Sequence, residues 1–303
     1  MEHIRNAIER AKDDRPGHLG SRQPQNPNAG TAATHPVRDV ALNRVHLESK
    51  RIIAHDVRDS RSKSFDMLRT QILQTMDMKS WQFLGVTSAT EGCGKSVVAA
   101  NLALSIARQP ERHVVLVDLD LQKPQVANYL GLKCEYGIAN VLAGRASLQD
   151  ALVQARISNE QIMVLPCEAA TSNSSAWIAS RAMSTLLEDL KREFWNCTVI
   201  FDLPPILSGD DVISILPRLD CVAFVVGAGT TTVEEIKECN KHLESAEIVR
   251  VILNKSEDTN ATYYYSYMRP TDGQGKDEVT PQTQRKAPKF KRMSRLFRRL
   301  GEP

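Results

Sequence analysis

No two of the six cysteines in this 303-residue chain form a CxxC pair. Cys93, Cys134, Cys167, Cys197, Cys221 and Cys239 are scattered, with no histidine at metal-ligand spacing beside them. That pattern speaks against structural zinc and fits a reducing cytosol. Long hydrophobic runs are also missing. Stretches such as 221–226 fall far short of the roughly 20 apolar residues that a membrane span needs. The opening MEHIRNAIERAKDD has no apolar core, so no signal peptide is expected. No internal repeat is visible. Acids are absent from 285–300, where Arg285, Lys286, Lys289, Lys291, Arg292, Arg295, Arg298 and Arg299 crowd together. The formal net charge is only +3, so the remainder is slightly acidic. The body is therefore not a general nucleic-acid binder, and an electrostatic partner would meet the tail.

What is present is ordinary for a soluble α/β domain: 42% hydrophobic and 25% charged residues. Residues 1–44 are polar and rich in Pro, Asn and Gly, and are read as a disordered segment apart from a short helix at 2–12. A nucleotide-binding domain is expected over 45–256. Phe65, Leu68, Ile72 and Met76 form a helical stripe within 62–76. Apolar strands are expected at 82–88, 113–120, 162–167, 197–205, 221–228 and 249–255. Helices are expected at 95–109, 140–154, 176–194, near 210–216, and at 232–244. Nearly all-apolar strands alternating with helices predict a mostly parallel central sheet with helices on both faces. Such sheets bind ligands beyond their strand C-termini. Residues 257–303 form a polar tail.

The motifs fall at those strand ends. ATEGCGKS at 89–96 lies between a strand and a helix, the setting of a phosphate loop. Glu91, Gly92, Cys93, Gly94, Lys95, Ser96 and Val97 would surround the nucleotide phosphates, with backbone N–H groups and the helix N-terminus facing them. Lys95 would reach the β- and γ-phosphates of ATP, and the Ser96 hydroxyl would ligate Mg²⁺. Ala89 stands where the pattern asks for glycine. Cys93 is either a reactive thiol at a helix start or a small loop-filling residue. Asp118 and Asp120 end the next strand, two residues apart and so directed to one face. Asp202 ends a later strand before Pro204 and Pro205. Asp202 suits the metal, Asp120 suits the metal or support of the loop, and Asp118 suits acceptance of a proton from an attacking hydroxyl. Asn254 either reads an adenine edge or simply ends its strand.

GKS at 94–96, DLDLQKP at 118–124 and FDLPP at 201–205 together resemble the three nucleotide motifs of the bacterial tyrosine kinases of exopolysaccharide and capsule assembly. GIANVLAGRASLQDAL (137–152) and SRAMSTLLEDLKREF (180–194) are similar to the same family, and the likeness covers about 60–268. The resemblance implies a P-loop NTPase of the deviant Walker A type. It also implies an autokinase that phosphorylates a C-terminal tyrosine cluster in trans, here Tyr263, Tyr264, Tyr265 and Tyr267. Each added phosphate would bring about −1.5 to −2 charges at pH 7. The residues alone leave those tyrosines equally open to a packing role. The family further implies a transmembrane polysaccharide co-polymerase as activator, a phosphotyrosine phosphatase, and a ring-like homo-oligomer. Its ring helix usually carries Glu, Arg and Arg at three-residue spacing; here Lys63, Asp66 and Arg69 stand there. The family often has Glu at Cys93 and Arg at Gln122.

Two other readings are kept. A septum-positioning or partition ATPase would carry a Lys five residues before Lys95, where this chain has Thr90. A nucleotide-dependent scaffold of polysaccharide export without kinase activity is the other. Finally, Phe290, Met293, Leu296, Phe297 and Leu300 recur at helical spacing among basic residues in 289–300. That pattern fits an amphipathic helix on anionic lipid at the inner membrane, or a disordered basic tail.

Overall fold

Strands made almost wholly of apolar residues must be covered on both faces. That requirement organises residues 37–244 and 246–256, which the computed structural model describes. The strands are β1 (Arg38–Ala41), β2 (Phe83–Ser88), β3 (His113–Asp118), β4 (Val153–Ile157), β5 (Glu160–Leu165), β6 (Cys197–Asp202), β7 (Cys221–Gly227) and β8 (Ile248–Asn254). They form one sheet in the order β1-β4-β5-β3-β6-β2-β7-β8. All neighbours pair in parallel except β4 and β5, which are antiparallel across a tight turn at Ser158 and Asn159.

Successive side chains of a strand point to opposite faces, so the sheet feeds two cores. Leu84, Val86, Leu116 and Val225 join one; Phe83, Val115, Phe201 and Phe224 join the other. On the first face lie α1 (Arg44–Ser49), α2 (Ser62–Lys79), α3 (Lys95–Ala107) and α4 (Val126–Leu130). On the second lie α5 (Ile138–Leu142), α6 (Leu148–Ala151), α7 (Ser174–Ile178), α8 (Arg181–Glu193), α9 (Asp211–Ile215) and α10 (Val233–Leu243). The helix after the phosphate loop, α3, is buried along nearly its whole length. The stripe on α2 faces inward as expected: Ile72 and Met76 are buried, and Phe65 and Leu68 are packed against the same core.

Several expected boundaries change. The segment before residue 45 contributes an edge strand, because Arg38–Ala41 pairs with Val153–Arg156. The single helix expected at 140–154 is two short helices and a strand. Gly144, at φ +67°, ends the first, and Ser147 caps the second in a box with Asp150. The helix expected at 176–194 breaks at Ser180, whose hydroxyl accepts from Met183 N (3.2 Å) and starts α8 afresh. Two of the three residues aligned with ring contacts, Asp66 and Arg69, turn inward. Asp66 accepts from Arg69 Nη1 (3.2 Å), Arg108 Nη1 (3.0 Å) and Ser105 Oγ (2.7 Å), which fastens α2 to α3. The helix at 2–12, the tyrosines at 263–267 and the basic stretch at 289–300 lie outside the described residues.

A second tie to α3 comes from Asn101, which is fully buried. Its Oδ1 accepts from Ile53 N (2.8 Å) and Ala54 N (2.9 Å), and its Nδ2 donates to Arg51 O (3.0 Å) and Val97 O (2.8 Å). One side chain thus satisfies three backbone groups of the 51–54 segment. Asn101→Ala is expected to cost about 1–3 kcal/mol, because those groups become buried without partners. Urea unfolding checks this; an unchanged midpoint would show that the segment is held by other contacts.

Candidate active site

The phosphate loop leaves the C-terminal end of β2 and enters α3 through Gly94. Gly92 and Gly94 hold φ of +76° and +92°, a region that penalises any side chain. Ala89 has no such φ and is fully buried, so the absent glycine costs the loop nothing there. A Cβ on Gly94 would lie 2.2 Å from Asn254 Nδ2. That amide donates to Cys93 O (2.8 Å), so Asn254 pins the last strand to the loop. Cys93 is itself buried, with its sulfur 3.4 Å from Thr231 Oγ1. Burial pushes its thiol up, but hydrogen bonds from Thr231, Thr90 and the Gly227 backbone outweigh it and leave the thiol below its usual range. Its burial favours the loop-filling reading of Cys93.

Beneath the loop the three acids converge. Asp118 and Asp202 are register partners on adjacent parallel strands and both are fully buried. Asp118 Oδ2 accepts from Gln125 N (3.0 Å) and Val126 N (2.9 Å) at the start of α4. Its Oδ1 and both oxygens of Asp202 are buried without a hydrogen-bond partner. Lys95 answers them. Its Nζ lies 2.7 Å from Asp120 Oδ2 and 3.7 Å from Asp202 Oδ1. Burial alone pushes the Asp118 carboxyl far up, and the neighbouring Asp202 pushes it further. Asp202 is raised by burial and held back by Lys95. Burial disfavours the charge on Lys95, yet Asp202 and Asp120 together raise it above its ordinary range.

Above this floor opens a cavity of about 700 Å³. Glu91, Gly92, Gly94, Lys95, Ser96, Val97, Asp120 and Asn254 all line it, so the structure gathers most of the expected site residues at one mouth. Cys93 packs behind the loop, and Asp118 and Asp202 lie under it. Lys123 Nζ meets Glu91 Oε1 at 2.5 Å, closing one side. The wall also includes Lys50, Arg51, Arg61, Phe65 and Tyr129, which sequence reasoning missed. They come from no motif, and only the fold brings them to the loop.

The residues fit a magnesium ion shared with phosphate. Among the described residues no three His, Cys, Asp or Glu side chains are gathered as a metal-binding group. Magnesium characteristically takes one or two carboxylates and completes its shell with phosphate oxygens and water. Ser96 and the unpartnered oxygens of Asp202, with Asp120 beside them, supply that kind of partial set.

With the geometry in view, the comparisons are specific. The profile of the CobQ/CobB/MinD/ParA nucleotide-binding domain matches residues 84–282. The tyrosine-protein kinase YwqD of Bacillus subtilis (strain 168) is 31% identical over 196 residues, covering 64% of this chain and 80% of that protein. A putative tyrosine-protein kinase EpsB of Ralstonia nicotianae is 29% identical over 242 residues, covering 78% of this chain. This chain spans only 31% of that longer relative. Among solved structures, the chimerical protein CapA2B2 superposes with a TM-score of 0.63 at 26% identity, over 74% of this chain and 95% of that one.

Two outcomes follow from this geometry. Gly94→Ala must break the Asn254–Cys93 contact and strain the loop. It is expected to weaken nucleotide binding at least about tenfold with the circular dichroism unchanged; undiminished affinity in calorimetry would contradict the clamp. Asp118 binds its proton more tightly folded than unfolded, so its contribution to stability falls as pH rises from the ordinary carboxylate range through its raised value. Asp118→Asn keeps an acceptor for the α4 amides and removes that penalty. It should melt higher than the parent at neutral pH, and the gap should close in acid; a lower melting temperature at neutral pH would count against the assignment.

Proposed function

The chain belongs to the CobQ/CobB/MinD/ParA nucleotide-binding family, in the branch of the bacterial tyrosine kinases, and from that premise we propose that it is an ATP-dependent protein-tyrosine autokinase regulating exopolysaccharide or capsule synthesis and export. The observation that carries the reading is the pairing of Asp118 with Asp202 under a phosphate loop whose Lys95 already engages acids.

In this reading the loop amides and the α3 N-terminus hold the phosphates of ATP, and Lys95 turns to the β- and γ-phosphates. Bound Mg²⁺, held by Ser96, Asp202 and Asp120, would supply charge neutralisation at the phosphates. The acceptor is a tyrosine of the 263–267 cluster from a second copy. Its hydroxyl proton passes to Asp118 Oδ1, the oxygen without a partner. The phenolic oxygen then bonds to the γ-phosphorus, the bond from that phosphorus to the β–γ bridging oxygen breaks, and ADP leaves with the electron pair. Asn254 retains Oδ1 for the adenine edge while Nδ2 stays on Cys93 O.

The cellular setting follows the same reading. A transmembrane polysaccharide co-polymerase activates the kinase and a phosphotyrosine phosphatase resets it. The basic 289–300 segment holds it as a peripheral protein on the cytoplasmic side of the inner membrane. Among the described residues no helix is long and apolar enough to cross a membrane. Ring assembly would need contacts other than Asp66 and Arg69, which are taken up within the chain.

The test is phosphate transfer itself. Dephosphorylated full-length protein, joined to its activator and given ATP and Mg²⁺, should acquire phosphotyrosine at 263–267 by mass spectrometry. Lys95→Met should lower the rate at least about a hundredfold. ATP binding without any phosphotyrosine would sink the kinase reading and leave a nucleotide-dependent scaffold.

A further inference from the structure

The ammonium of Lys95 stands at the position a cation would take in this site. Its Nζ lies 2.7 Å from Asp120 Oδ2, 3.7 Å from Asp202 Oδ1 and 3.5 Å from Ser96 Oγ. These are the three side chains that suit a magnesium ion. The Lys95 side chain is only 11% exposed and that of Asp202 is fully buried. Both Asp202 oxygens lack hydrogen-bond partners. Lys95 is the only cation within ion-pairing range of Asp202 among the described residues.

We propose that Lys95 is the resident counter-ion of the acid cluster and bars a divalent cation from it until a nucleotide binds. Two cations cannot share carboxylates at this separation, with side chains this buried, without strong repulsion. A buried carboxylate pair cannot stay ionised without a cation either. Nucleotide phosphates relieve the conflict, because they give Lys95 other anions and add oxygens for the metal. The same movement that brings Lys95 to the phosphates frees Asp120 and Asp202. Metal and nucleotide are thereby positively coupled, and free Mg²⁺ is ignored. The inference rests on the nucleotide-binding reading of the site and does not need tyrosine phosphorylation.

Manganese titration followed by electron paramagnetic resonance tests it on the full chain without nucleotide. Lys95→Met and Lys95→Gln should bind Mn²⁺ at least about tenfold more tightly than the parent. Adding Asp202→Asn to Lys95→Met should remove that gain. Thermal melts supply a second reading. The parent should melt alike in EDTA and in Mg²⁺, whereas the Lys95 variants should melt lower in EDTA and recover with Mg²⁺. Parent binding of Mn²⁺ as tight as that of the variants would overturn the proposal. So would a parent melt raised by Mg²⁺ alone, or Lys95 variants that Mg²⁺ fails to restore. A protein that binds Mg·ATP but phosphorylates nothing would leave this test intact.

Discussion

One ammonium among three buried carboxylates is the interaction on which the site depends. The parallel register sets Asp118 beside Asp202 on adjacent strands. Burial makes two such charges costly, and Lys95 offsets part of that cost through its contacts with Asp120 and Asp202. The cluster is therefore unstable against any change that removes the cation, yet responsive to anything that offers the cation a better anion. Phosphate oxygens are such an offer. The electrostatic tension that burdens the fold is also what prepares it to bind nucleotide.

That tension can be stored only if the loop bearing Lys95 is fixed. Two asparagines fix it from opposite sides. Asn254, at the end of β8, holds the Cys93 carbonyl and leaves no room for a side chain at Gly94. Asn101, one turn and a half along α3, ties the helix to the 51–54 segment. Asp66 adds a third tie by joining Arg69 of α2 to Ser105 and Arg108. The loop thus hangs between the interior strand β2 and a helix tied down at Asn101, Ser105 and Arg108. The same ties carry Lys50 and Arg51 to the cavity wall.

Much of this was legible in the sequence where the signal is local. A phosphate loop needs glycines and a lysine at fixed short spacing, and strands buried on both faces write themselves as unbroken apolar runs. Lys95, Asp118, Asp120 and Asp202 could be named for that reason. Less was legible where the decisive partner is distant in the chain. The edge strand Arg38–Ala41 is half polar and becomes a strand only because Val153–Arg156 lies beside it. The stretch 140–154 looked helical because Gly144 and Ser147 interrupt it without disturbing its apolar rhythm. Asn101 gave no signal at all, since an asparagine inside an apolar helix shows its purpose only when the 51–54 backbone is placed against it. Nor does any motif foretell that Lys95 pairs with acids before it meets a phosphate.

The most direct measurement is a crystal structure of the protein with a non-hydrolysable ATP analogue and Mg²⁺. The account predicts that Lys95 Nζ leaves Asp120 for the phosphates, and that Ser96 and Asp202 take up the metal beside them. A structure in which the analogue is bound, Lys95 still rests on Asp120 and the metal sits elsewhere would contradict it.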